Sequence, residues 1–224
     1  MAFEGFDLAA FWEPEDYLRG KGRNEYIYPA PSDDLIRETE RKLGYKLPES
    51  YLALIKQQNG GCPARTRYDV PADKGGGMVE ISGFLGIGEG EHDWYTLCGT
   101  FGSTFMIQGW NYPDIGVAVC DTPFSGHVMI FLDYRACGPQ GEPSVVLIDQ
   151  EDSFAITPIA DSFEEFVRGL RTEDDEDDEE DEEDGEDSQP GEHSLAALLQ
   201  GMESQGMGDS PMAERIRGLL GGQG

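Results

Sequence analysis

The sequence predicts an α+β fold. An N-terminal helix pair and a C-terminal helix flank a curved, mainly antiparallel sheet, and a disordered acidic tail follows. Three observations predict it. Apolar, β-branched runs at residues 115–120, 127–134 and 144–148 alternate with turn-forming residues, the pattern of an antiparallel meander. Helical spacing with capping residues occurs before these runs, over residues 32–59, and after them, over residues 161–171. Between residues 173 and 187 every position except Gly185 is Asp or Glu, and such a block of like charges cannot collapse into a core.

Taken in order, residues 1–30 hold Phe3, Phe6, Phe11, Trp12 and Tyr17 without sustained periodicity, which predicts a short helix and an extended arm packed on the body. Ser32 is a good N-cap, Asp33 and Asp34 suit the first turn, and Gly44 is placed to end the helix. Leu35, Ile36, Thr39 and Leu43 share its inner face. Pro48 suits the first turn of a second helix with Tyr51, Leu52 and Ile55 as its buried stripe, stopped at Asn59-Gly60-Gly61. Residues 78–85 predict one strand. Residues 94–110 are apolar but broken by Gly99, Gly102 and Gly109, and fit either a short helix or an irregular packing segment.

In the meander, Asp121, Pro123 and Gly126 favour a turn. The run after it is apolar on both faces, so it is expected at the centre of the sheet, covered on both sides. Asp161 is the expected cap of the closing helix, with Glu164 at the capping-box position and Phe163, Phe166, Val167 and Leu170 facing inward. The segments 194–199 and 212–220 have helical potential, yet isolated helices so short are marginal in water. The expected organisation is an arm (1–30), an α+β domain (31–171) and a tail (172–224).

Charge narrows the function. Of 45 acids, 27 precede residue 173; of 16 bases, 14 do, so the first 172 residues carry −13 even without the tail. That field repels nucleic acid and membrane surfaces and steers basic partners inward. Arg65 and Arg67 are too few and too isolated for a nucleic-acid surface. No basic leader segment precedes an apolar run, and Cys62, Cys98, Cys120 and Cys137 form no C-x-x-C pair. A cytoplasmic protein with single thiols is expected.

Chemistry is sparsely encoded. His127 and Asp133 share a strand face but stand about 20 Å apart, six residues at about 3.3 Å each. Asp121 and His127 flank the hairpin mouth and could pair as a base or metal ligand; a turn-capping Asp and a strand-edge His is the better reading, since no third group is evident. There is no nucleophile motif. The glycines at 75–77 and 86–90 lack the strand, spacing and Gly-Lys-Ser/Thr ending that phosphate loops need. No enzyme activity, cofactor or metal is expected. The acidic run reads about equally as a solvating tail or as an arm competing for basic surfaces; it lacks the ligand spacing of a calcium loop.

Several strings carry a resemblance: RKLGYKLPESYLALIKQQNGG (41–61), SGFLGIG (82–88), GWNYPDIGV (109–117), CDTPFSGH (120–127), FLDYRACGPQGEPSVVLIDQE (131–151) and IADSFEEFVRGL (159–170). Together they resemble the SUKH superfamily, which contains bacterial toxin-immunity proteins and fungal Smi/Knr-type cell-wall-synthesis regulators. The resemblance covers roughly residues 12–171. It implies helices flanking a curved antiparallel sheet, no catalysis, and capture of a basic protein, often a nuclease toxin, by occlusion. The alternative it leaves is an intracellular adaptor or regulator. The family's contact surfaces vary between members, so the resemblance carries over no binding residues; Trp110, Asp114, Asp121, His127 and Asp133 are the residues expected at a partner surface. Two departures stand out. Val128 follows His127 where relatives often carry an acid, and the acidic tail is foreign to the family domain.

Overall fold

A computed structural model describes residues 2–14, 26–89 and 93–172. The expectations for Tyr17, for the acidic run and for the helical segments beyond it lie outside the described residues. The elements are α1 (Asp33–Leu43), α2 (Glu49–Gln57), β1 (Arg67–Asp69), β2 (Met78–Glu80), β3 (Gly83–Phe84), α3 (Ser103–Trp110), β4 (Gly116–Asp121), β5 (Val128–Asp133), β6 (Ser144–Asp149), β7 (Ala155–Ala160), α4 (Phe163–Arg168) and β8 (Leu170–Arg171). A five-stranded sheet runs β3-β4-β5-β6-β7 and a three-stranded sheet runs β2-β1-β8, antiparallel throughout. The α+β architecture is the one the sequence predicts.

Local chemistry explains the helix pair. Ser32 Oγ accepts the Leu35 N–H, and Gly44, at φ +82°, turns its N–H back to Glu40 O. Ile36 and Thr39 are buried, with Leu35 and Leu43 half-buried beside them. In α2 the buried stripe is Tyr51, Leu54 and Ile55. Leu52, expected in that stripe, is only half-buried. From Tyr51, the positions three and four residues on are the ones that share its face. Pro48 stands one residue earlier than expected, as the N-cap.

Three further differences have physical causes. Residues 78–85 do not form one strand: the Ile81 N–H bonds Thr66 O beside the small sheet, while the Ser82 N–H bonds Asp121 O of the large one. The chain changes sheets between adjacent residues. β7 was not expected, because Pro158 interrupts its apolar pattern; at the sheet edge the missing N–H is tolerated. The closing helix is capped by Ser162, whose Oγ accepts the Glu165 N–H, and Glu165 Oε2 accepts the Asp161 N–H. The capping pair is thus one residue later than expected, and Asp161 pairs instead with Lys74.

β5 is the central strand, and Met129, Ile130, Phe131 and Leu132 are fully buried. Its two faces have different covers. Residues opposite one another across an antiparallel pair share a face, so Phe84, Cys120 and Ile130 lie together. The Phe84 ring meets Phe163 of α4 at 5.9 Å, and Phe163 meets Tyr51 of α2 at 5.4 Å, so these helices cover that face. Phe11 and Trp12 also pack on Phe84, which makes the N-terminal residues part of this core. On the other face Tyr112 stacks on Phe131, and Ser103 Oγ of α3 accepts the Ala118 N–H. Register shifts between Ala118 and Cys120 and between Val145 and Val146 bend the sheet.

Candidate functional site

The α3-side face of the sheet ends in a cleft at the β4–β5 turn. Asp121, the last residue of β4, sits opposite Gly83 on one side and Met129 on the other, so its side chain emerges on this face. The Tyr26 hydroxyl donates to Asp121 Oδ2 at 2.5 Å. Gly83 makes this possible, because a Cβ there would stand 2.8 Å from the Tyr26 ring. Burial first, and Asp121 second, push the Tyr26 hydroxyl far above its usual titration range, so it remains a neutral donor.

Aromatic rings continue from Tyr26. Tyr95 stacks on it with centroids 4.0 Å apart, and Phe101 follows at 5.6 Å from Tyr95. Phe105 links Phe101 to Trp110, and the Trp110 ring meets His127 edge-on at 5.4 Å. Tyr26, Tyr95, Phe101 and Trp110, with Met106 and Met129, wall a cleft of about 440 Å³ that also includes Ser82, Leu85 and the turn residues Thr122, Pro123, Ser125 and Gly126. The volume lies within the range of roughly 300–1,000 Å³ typical of ligand sites. Among the described residues that line it, Asp121 is the charged one, and none is Lys or Arg.

The turn is built to hold its shape. Ser125 and Gly126 both have positive φ, at 52° and 88°. At Gly126 a Cβ would also press on the Trp110 ring at 3.1 Å. Tyr112 OH donates to Gly126 O at 2.6 Å, and Thr122 Oγ1 donates to Val128 O at 2.7 Å. This frame projects Phe124 into solvent at 62% exposure, and Phe101 in the cleft wall is 40% exposed. Exposed aromatic side chains held on a rigid frame suit protein recognition, where aromatic anchors dominate binding energy.

The five residues expected at a partner surface divide between the two ends of the sheet. Trp110 and Asp121 line the cleft, and His127 packs on Trp110 at its rim. Asp121 and His127 do not pair: His127 Nδ1 lies 2.6 Å from Glu151 Oε1, and Asp121 takes Tyr26. Asp133 pairs with Gly116 at the other end of β4, about 17 Å along the strand from Asp121. There Asp133 is 7% exposed, and burial would raise its pKa; the Arg135 guanidinium and N–H outweigh this and hold it below the usual carboxylate range. Asp114 is exposed near Tyr45, Tyr134 and Arg135 at this same end. Among the described residues, no group of three His, Cys, Asp or Glu side chains converges as a metal site would require.

Tyr26, Tyr95, Phe101 and Phe124 were not anticipated. A large apolar residue inside the polar turn Asp121-Thr122-Pro123-Phe124-Ser125-Gly126 was the available signal for Phe124. Non-periodic aromatics between breaker glycines were the signal for Tyr95 and Phe101.

The chain matches the SMI1 / KNR4 family (SUKH-1) over residues 30–169. It belongs to this family. Members are generally non-enzymatic immunity or regulatory proteins. The SMI1 / KNR4 match spans α1 to α4 and both sheets apart from β8, and it includes every cleft residue except Tyr26. The acidic run at residues 173–187 lies beyond it. A search of curated proteins finds no match. Among the described residues, no helix is long and apolar enough to cross a membrane.

Proposed function

We propose that the chain is a non-catalytic, immunity-type binding protein that neutralises a basic protein toxin, in particular a nuclease, by covering it. One observation carries the reading: a preformed aromatic cleft, floored by Asp121, opens on a body of net charge −13. The body attracts a basic partner over distance, and the cleft anchors it. Trp110 and Asp121 are the proposed central contacts, with His127, Phe101 and Phe124 around them. A cytoplasmic location and the absence of catalysis go with this reading.

The test is to titrate the full chain into a basic nuclease encoded beside it, following nuclease activity and heat of binding at low and high salt. Stoichiometric inhibition with affinity that weakens as salt rises is expected. Full nuclease activity at a tenfold molar excess of the chain would sink the proposal.

A regulator or adaptor is the second reading, favoured by the acidic run that follows the family-matched region. Replacing the acids of 173–187 by their amides in the full chain tests it. The arm role is lost if partner affinity and its salt dependence stay the same.

A further inference from the structure

We infer that the cleft takes an aromatic side chain from a basic segment of the partner, and that this segment runs past the acidic β6–β7 turn. This rests on the partner reading above and names the group that anchors it.

The cleft selects an uncharged, flat guest. Asp121 calls for no cation, because its Oδ2 accepts the Tyr26 hydroxyl and its Oδ1 is buried. Around this floor, Phe101 and Trp110 present rings, and Met106 and Met129 present thioethers. Aromatic pairs gain energy beyond their buried area, and thioethers pack well against ring edges. An aliphatic guest fills the same space with neither gain. Among the described residues, the exposed large apolar side chains are Met78, Trp94, Phe101 and Phe124. Phe101 lines the cleft, and Phe124 lies between the lining residues Pro123 and Ser125. Apolar surface left exposed around a cleft marks an interaction site.

Charge complementarity sets the rest of the segment. Trp110 packs on His127, His127 Nδ1 lies 2.6 Å from Glu151 Oε1, and the Gln150 N–H donates to His127 O. These contacts hold the β6–β7 turn next to the cleft wall, with Glu151 and Asp152 exposed. No described Lys or Arg lines the cleft. A ring inserted beside these acids is therefore favoured when Lys or Arg flanks it. The volume of about 440 Å³ admits a ring together with part of the chain that carries it.

The test titrates isotope-labelled full chain with the acetylated, amidated pentapeptide Lys-Lys-Phe-Lys-Lys. Versions with Leu or Ser in place of Phe, and one with Glu in place of every Lys, run in parallel. The Trp110 indole and the Gly126 amide report on the cleft. The serine peptide has the same charge as the phenylalanine peptide, so it accounts for attraction by the acidic run. Saturable shifts with the phenylalanine peptide are expected. Binding should be about threefold weaker with leucine, about tenfold weaker or more with serine, and absent with glutamate. Phe101→Ala, at an exposed position, should weaken the phenylalanine peptide about fivefold and leave the serine peptide and the melting temperature unchanged. Glu151→Gln combined with Asp152→Asn should weaken it about threefold and flatten its salt dependence.

Equal binding of the phenylalanine and serine peptides would overturn the inference, as would a leucine or glutamate peptide that binds as tightly. Unchanged affinity in both variants would do the same. Free phenylalanine amide binding more than tenfold tighter than the peptide would mark a small-molecule site and overturn it. So would a dimer that dissociates on Phe124→Ala or on adding the phenylalanine peptide, because the occupant would then be a second copy. Tyr17 and Leu18 precede Tyr26 in sequence. A tenfold gain in peptide affinity on changing both to Ser would assign the cleft to the chain's own residues, again overturning it. The two proposals fail separately. Nuclease inhibition without discrimination among the peptides removes the aromatic anchor and leaves the immunity reading; discrimination without inhibition does the reverse.

Discussion

The two ends of the five-stranded sheet are made of similar parts and do different work. Each has an aspartate at the end of a strand, Asp121 on β4 and Asp133 on β5, with tyrosines beside it. At the far end Asp133 meets Arg135, which approaches both of its oxygens, at distances down to 2.6 Å. Tyr134 donates to Lys46 O, and its ring packs on Tyr45 at 4.6 Å, tying the strand end to the helix pair. At the hairpin end the carboxylate is held by a neutral phenol and faces an aromatic cleft in which no described Lys or Arg participates. An acid matched with its own cation stabilises the fold. An acid held by a phenol at the floor of a cleft is placed among aromatic rings.

The strongest way to break the comparison is at the far end. A Cβ at Gly116 would stand 1.9 Å from Leu132 O and 2.9 Å from the Tyr134 ring, so β4 could not keep its place beside β5. Gly116→Ala should lower stability by about 3 kcal/mol, the upper range for overpacking. Partner affinity of the fraction that remains folded should hold within about twofold, because additivity is the rule for distant sites. Urea unfolding combined with titration of the folded protein measures both. A stability loss below about 1 kcal/mol would contradict the tight β4–β5 approach.

Asp133→Asn probes the same end through charge. The carboxyl is held below its usual range, so the folded state binds the proton less readily than the unfolded one. The stabilisation is therefore full above about pH 4, the unfolded aspartate value, and fades as pH falls through the lower folded value. Because Arg135 is half-exposed, the variant should lose only about 1 kcal/mol at pH 7. The gap from wild type should close on acidification, which unfolding curves across pH 2–7 would show. A gap that stays constant with pH would assign the loss to packing.

At the hairpin end, Tyr26→Phe removes the hydroxyl that holds Asp121 and keeps the ring stacked on Tyr95. The stability cost should be about 1 kcal/mol, the usual worth of one hydrogen bond. Affinity for a basic partner should also fall, by about threefold to tenfold, as the carboxylate loses its fixed position. A variant that loses stability but keeps full affinity would show that Asp121 needs no alignment.

How much of this was legible in sequence depended on the range of each interaction. Ser32 and Gly44 announce their helix because capping is settled within four residues, and β5 announces its central place because its own apolar run shows both faces. Asp133 and Arg135 are two residues apart, so their pairing was also within reach of inspection. Tyr26 and Asp121 are separated by 95 positions, and only the packing of β3 against β4 brings them together. The sheet crossing at Ile81 and Ser82 was equally hidden, since both residues fit one extended run. β7 was masked by Pro158, whose cost disappears only at an edge that local sequence does not reveal.

His127 gives the smallest effect and the sharpest boundary. Its contact with Glu151 has both side chains largely in water, at 47% and 72% exposure, so it adds little to stability. Its ring also packs edge-on against Trp110, a contact that Gln partly replaces with its own stem. His127→Gln should therefore change unfolding free energy by no more than about 0.5 kcal/mol. Partner affinity should change less than threefold if the anchor lies within the cleft, because rim contacts contribute mainly by excluding water. A tenfold loss in the same titration would move the centre of the interface from the cleft to the hairpin mouth. It would make the Trp110–His127 pair, rather than the Asp121 floor, the feature that distinguishes this end of the sheet from the other.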